Sequence, residues 1–271
     1  MLKSFDTHVR PDRAKDEYDA SYILSLILDV GEEMLTCGAE INRVEDSIYR
    51  MLTSYGYRKV NVFAIPEYIS VSIVDYTGKI LTQSRRIYKF SNDFYRLEQL
   101  NELSRHTCSH NPSVTELYNR LENMDSVFYA KNTSLIALAH FLGGAGFCIF
   151  LGGDIGDGFA AGVVALIFLA MGRFSKVQNL NKIFYTALSA LLGGLAAIIL
   201  SHFGIGAHVD KIMIGDIMLL IPGMALTTAI RDMLCGDLIA GILRFLESVM
   251  VAGAIALGYA IPIYLLGGML S

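Results

Sequence analysis

Charge is scarce in the second half of this 271-residue chain: of 22 Lys+Arg and 26 Asp+Glu, only 6 and 7 lie from Asn132 to Ser271. The two halves are therefore built for different solvents. No run of clustered Lys/Arg interleaved with aromatics occurs, and the net charge is -4. Phosphate backbones are held by clustered cations, so nucleic acid is excluded as a main partner. The four cysteines, Cys37, Cys108, Cys148 and Cys235, are far apart and form no CxxC pair, which reads as free thiols. His106, Cys108 and His110 fall close together, but no second cluster supplies the remaining ligands of a zinc site, and no metal is expected. No GxSxG, HExxH, Walker or GxGxxG pattern is present, so the sequence gives no catalytic residue, no cofactor and no support for an enzyme. The polar N-terminus lacks the apolar core of a cleavable signal peptide, and the polar half is expected in the cytoplasm.

Long apolar runs fill the space that the missing charges leave. A membrane span needs about 20 mostly apolar residues in helical form, because lipid cannot satisfy an open backbone. Five segments qualify, near Ser134 to Leu151, Phe159 to Met171 (extending toward Ile155), Ile183 to Phe203, Ile212 to Ile230 and Ser248 to Leu266. The segment GRFSKVQNLNK carries Arg173, Lys176 and Lys182 without an acid, whereas the connection before it carries Asp154 and Asp157 without a base. The positive-inside rule puts the former in the cytoplasm, together with the N-terminal domain, and puts Ser271 outside. Small residues four apart, Gly152 with Gly156, Ala190 with Gly194 and Gly193 with Ala197, are expected to let helices approach closely in lipid. GGAGFCIFLGG lacks the GK[ST] of a phosphate loop and is read as packing.

Ahead of the spans, apolar residues recur at helical spacing from Tyr18 to Cys37, with Gly38 as a left-handed stop, and again from Ile41 to Tyr55. Arg43, Asp46 and Arg50 fall on the polar face of the second helix. Three strand-like runs follow, VNVFAI, EYISVSIVD and KILTQSRRIY, the last two joined by a turn at Gly78. A helix over Asn92 to His106 comes next, and Ser113 with Glu116 forms a capping box that opens another helix to about Met124. The fold class expected is an α-helical polytopic membrane protein of about five spans with an N-terminal cytoplasmic α+β domain. Its parts are a disordered segment at 1–17, a soluble domain at 18–131 and a transmembrane domain at 132–271.

Pro222 and Gly223 interrupt the fourth span at membrane depth, which frees backbone groups for a wet cavity or a neighbouring helix to satisfy. Broken helices of this kind often line transport sites. Asp216 lies six residues earlier, and Arg231, Asp232, Asp237, Arg244 and Glu247 follow. Intramembrane charges are costly unless paired or hydrated, so these residues are either a solvated loop with a paired helix entry or an ion and substrate pathway. Arg244 and Glu247 share a helical face at i,i+3 spacing.

GEEMLTCGAEINRVEDSI, from Gly31, and LLIPGMALTTAIRDMLCGDLIAGILRFLES, from Leu219, resemble in sequence and order the two motifs of the threonine/serine exporter family. Gly31, Gly38, Arg43, Val44 and Glu45 match the first motif; Pro222, Gly223, Arg231, Asp232, Gly236, Asp237, Gly241, Arg244 and Glu247 match the second. The resemblance implies a secondary exporter of small carboxylate-bearing metabolites in the cell membrane, with Arg231 or Arg244 facing a substrate carboxylate and Asp232, Asp237 or Glu247 carrying protons or holding arginines neutral. Full-length members resemble this chain followed by a second, purely membrane module. The resemblance therefore implies the large subunit of a two-component exporter, with a second small membrane subunit completing about ten spans and an oligomeric assembly in the bilayer. Relatives with that organisation are associated with succinate and other dicarboxylates, which leaves amino acids and dicarboxylates both open as substrate. The competing expectation is a membrane sensor or a membrane-anchored enzyme whose soluble domain binds a small ligand.

Overall fold

The structure, a computed structural model, describes residues 20–88, 90–124, 132–178 and 181–266. These residues divide into two compact units, one holding 20–124 together with Asp232–Ala240, the other 132–231 and 241–266. The expected disordered segment at 1–17 and the C-terminal Ser271 lie outside the described residues.

In the first unit, α1 (Ala20–Thr36) and α2 (Ile41–Ser54) precede an antiparallel meander, β1 (Arg58–Ile65), β2 (Tyr68–Val74) and β3 (Ile80–Arg86). Helices α3 (Phe94–His110) and α4 (Val114–Glu122) follow. Helix α1 is apolar nearly all round because it touches neighbours nearly all round: α2, α3, α4, β2 and β3. Its polar positions are tied down as well. Arg85 on β3 bonds Asp29 at 2.9 Å and the Ser25 hydroxyl at 2.7 Å, and Arg96 on α3 grips Glu33 at 2.6 and 2.9 Å. The stop at Gly38 is a Schellman motif, with φ +93°, its amide donating to the Leu35 carbonyl and the Ala39 amide to that of Met34. On β2, Ile69, Val71 and Ile73 face the core in strict alternation. The turn into β3 is held by Asp75, which accepts the amides of Thr77 and Lys79, with Gly78 at φ +85°. Helix α3 runs four residues beyond the expected end, because the left-handed stop is Asn111 (φ 44°), immediately before Pro112.

The second unit is built from α5 (Thr133–Phe150), α6 (Ile155–Gln178), α7 (Lys182–His202), α8 (Val209–Leu220) and most of α9 (Gly223–Cys235) and α10 (Leu238–Leu266), whose junction, Asp232–Ala240, counts with the first unit. Four of these, α5, α6, α7 and α10, are long and apolar enough to cross a membrane, and α8 with α9, bent by 51° at a short break, brings the number to five if the pair is one broken span. Large apolar side chains such as Leu142, Phe150, Phe184 and Leu257 are exposed, as lipid-facing positions are. The interior is lined by small ones: Ala160, Ala161, Ala190 and Ala197.

Two expectations change here. Helix α10 begins ten residues before Ser248: Arg244 and Glu247 sit within it, since charges do not end helices, and the true stop is Gly236 (φ +101°) at the end of α9. Gly152 is no packing residue; it takes φ +95° in the turn after α5. Gly193 and Gly194 do pack, since added Cβ atoms would lie 2.6 Å from the Phe168 ring and 2.7 Å from Pro262. Within the GGAGFCIFLGG run, a Cβ on Gly144 would lie 2.8 Å from the Ala161 carbonyl oxygen.

Candidate functional site

Among the described residues, the interior of the membrane unit holds a carboxylate that nothing satisfies. Asp216, on α8, has no exposed surface, and neither of its oxygens has a hydrogen-bond partner among the described residues. Its position follows from Gly215, where a Cβ would lie 2.7 Å from the backbone of Cys148, so α8 and α5 meet almost backbone to backbone. Tyr259 on α10 is within electrostatic reach of Asp216. Its hydroxyl and that of Ser189 on α7 are likewise buried without a partner. Five residues beyond Asp216 the span breaks: Ile221 leaves the helix and α9 restarts at Gly223, around which a Cβ would meet nothing within 4 Å. A buried, unsatisfied acid beside a broken span is the arrangement that ion and substrate pathways use in membranes.

The residues of the second motif do not form one group. Pro222 is half-buried, and Gly223 and Arg231 are exposed. Asp232 and Asp237 belong instead to the first unit, through the segment Asp232–Ala240, whose Ala240 joins that unit's apolar core. There Glu45 of the first motif meets the field of Asp237. Glu45 also accepts the Ala64 amide at 2.6 Å. Burial pushes the Glu45 carboxyl up, the Ala64 amide draws it back, and the Asp237 charge adds to the rise. Glu45 and Asp237, about 190 residues apart in sequence, thus lie within each other's field in the first unit. Gly31 has structural work, letting Ile48 close over α1, where a Cβ would lie 2.5 Å from Ile48 Cδ1; Arg43 is exposed on α2.

Arg244 is half-buried on α10, and Glu247 is held by Lys182 at the start of α7, Nζ to Oε1 2.7 Å. Both side chains of that pair are about half exposed, so it contributes at most about 1 kcal/mol. Lys182 was legible only as a loop charge, since the contact joins residues 65 apart.

A second polar cluster was missed as a site: Asp154, Asp157 and His208 bring ligand-type atoms within 4.8 Å of one another. The Asp157 carboxylate is already engaged, accepting the amides of Asp154 (3.0 Å), Ala207 (2.7 Å) and His208 (2.9 Å) and meeting His208 Nδ1 at 2.8 Å. Asp154 returns the bond by accepting the Asp157 amide at 2.9 Å, a capping box at the start of α6. The D-x-x-D spacing ahead of an apolar run was the available signal. This cluster is a structural staple.

Comparison with known proteins agrees with the motifs. The ThrE family, described as threonine/serine exporters, matches residues 25–266. Searches of curated proteins and of solved structures each returned no match. The family match runs through both units and both motifs, and on that extent the chain belongs to the threonine/serine exporter family of membrane transporters.

Proposed function

We propose that this chain is the large subunit of a secondary exporter in the cell membrane, moving threonine/serine-type amino acids or succinate-type dicarboxylates outward with a second small membrane subunit. The first unit faces the cytoplasm in this reading, on the strength of Arg173, Lys176 and Lys182 in one inter-span segment. The observation that carries the transport reading is Asp216, buried and unsatisfied beside the break between α8 and α9. Arg231 or Arg244 is the cation assigned to the substrate carboxylate, because a guanidinium grips a carboxylate at two points. Vesicles holding both subunits and loaded with labelled threonine, serine or succinate should release at least one of them faster than empty-protein controls. Release of none would end the exporter reading at this substrate class.

Support for a membrane partner comes from α10. Its inward face carries Val251, Ile255 and Tyr259, while Ala252, Ala256 and Ala260 form an exposed ridge of small residues four apart. In lipid such a ridge is where another helix packs closely. Ala256→Phe is therefore expected to leave the thermal unfolding of the purified chain unchanged and to abolish cross-linking of the chain to other membrane proteins in native membranes. Unchanged cross-linking would remove this ridge as the contact.

A further inference from the structure

The oxygens of Asp216 raise a question of charge. An unpaired carboxylate anion in a dry interior is costly, far beyond what nearby dipoles return, so the group must be neutralised. The possible neutralising partners are a basic side chain, a metal ion and a proton. Among the described residues no donor reaches either oxygen within hydrogen-bond range. A metal ion needs several oxygen ligands converging on one point, and among the described residues Asp216 belongs to no such group. Cys148 on α5 and Tyr259 on α10 are titratable side chains within its field, and neither is a base. On α6 the buried acid is Asp157, whose carboxylate is fully engaged. A proton needs none of the missing ligands.

We infer that Asp216 is the proton-carrying residue of the membrane unit, protonated in the packed state seen here and deprotonated when the broken span opens the site to water. The step balances simply: an O–H bond forms on the carboxyl with a proton from water on one side, and the same bond breaks to return the proton to water on the other. Tyr259 is a positioning residue, its hydroxyl resting near Gly193, where a Cβ would come within 3.2 Å of it. The inference deepens the exporter reading and rests on it for the coupling of proton and substrate.

Two measurements test it. The infrared spectrum of the chain purified into lipid should contain the carbonyl stretch of a protonated carboxylic acid near neutral pH, and Asp216→Asn should remove that band. An identical spectrum for the variant would overturn the assignment. Should Asp216→Asn fail to insert, Asp216→Glu takes its place: a shifted acid band is expected, and an unshifted one overturns the proposal. In vesicles holding both subunits, an imposed pH gradient should change wild-type flux of labelled threonine, serine or succinate and leave Asp216→Asn flux, normalised to inserted protein, unchanged. A variant that follows the gradient as wild type does would refute proton carriage. If wild type moves none of the three substrates, the exporter reading fails while the infrared result still decides where the proton sits.

Discussion

Asp157→Ala is expected to destabilise the membrane unit by about 3–5 kcal/mol. The side chain is fully buried and accepts three backbone amides, those of Asp154, Ala207 and His208, besides meeting the His208 ring. Truncation takes the charged acceptor from those part-buried amides at the junction of α6 with the segment before α8, and a hydrogen bond to a charged group contributes about 1.5–3 kcal/mol, less where water can replace it. Asp157→Asn retains one oxygen and the volume but loses the charge that strengthens every bond, so it should fall between wild type and alanine. The same contact gives a pH signature. The hydrogen bond to Asp157, and then its charge, hold the His208 imidazole above the usual histidine range. A group whose folded value is raised contributes stability fully below its unfolded value, about 6.5, and loses it as pH rises through the folded value. Wild-type melting temperature in detergent should therefore fall as pH rises from about 6 through the raised value, and the slope should flatten in Asp157→Asn. An Asp157→Ala chain melting with wild type would show that the staple carries no weight.

Much of this architecture is written in local pattern. Helix α1, the hairpin at Gly78 and the apolar spans follow from periodicity and length, and the Gly38 stop follows from the one residue that tolerates a positive φ without cost. What local pattern could not supply were the pairings across long sequence distance. Nothing in the spacing of Glu45 and Asp237 says that they share a field, because the fold of Asp232–Ala240 onto the first unit depends on burying Ala240 among residues more than 100 positions earlier. Ser189 and Tyr259 passed unnoticed for a related reason: a lone hydroxyl in an apolar span is commonplace, and only packing shows which one is left without a partner. Asp216 was legible as a candidate since a carboxylate in a span is itself an anomaly. Its isolation was visible only once α5 was seen against Gly215.

The site around Asp216 depends on how closely α10 lies against α7, and glycines on both helices, Gly194 and Gly258, permit that approach, Gly258 against backbone. A Cβ on Gly258 would lie 2.6 Å from the Ala187 carbonyl oxygen, 2.6 Å from Ala190 Cβ and 3.1 Å from the Leu191 nitrogen. These are backbone atoms and a short methyl on a hydrogen-bonded helix, with no rotamer by which to move aside. Ordinary carbon contact needs about 3.5 Å or more, so even alanine must push the helices apart by roughly 1 Å. Leucine adds three carbons to that clash. Overpacking of this kind costs about 1–3 kcal/mol where neighbours can yield and more where they cannot. Gly258→Leu is accordingly expected to fail insertion or to lose about 3 kcal/mol or more. The consequence for transport is larger than the loss of stability. Tyr259 is the next residue, its ring seated on Gly194 with Cδ1 3.1 Å from where a Cβ would stand, so separating the helices withdraws the hydroxyl from the field of Asp216. Even the fraction of Gly258→Ala that inserts should show strongly reduced flux. Gly253, five residues earlier on the same helix, has nothing within 4 Å of an added Cβ, and Gly253→Ala should insert and unfold as wild type does. Membrane insertion, thermal unfolding and substrate efflux per inserted chain, measured on the three variants together, separate packing from chemistry. Wild-type insertion and flux in Gly258→Leu would mean that α10 does not lie against α7 in the bilayer, and Tyr259 would then lose its part in the site.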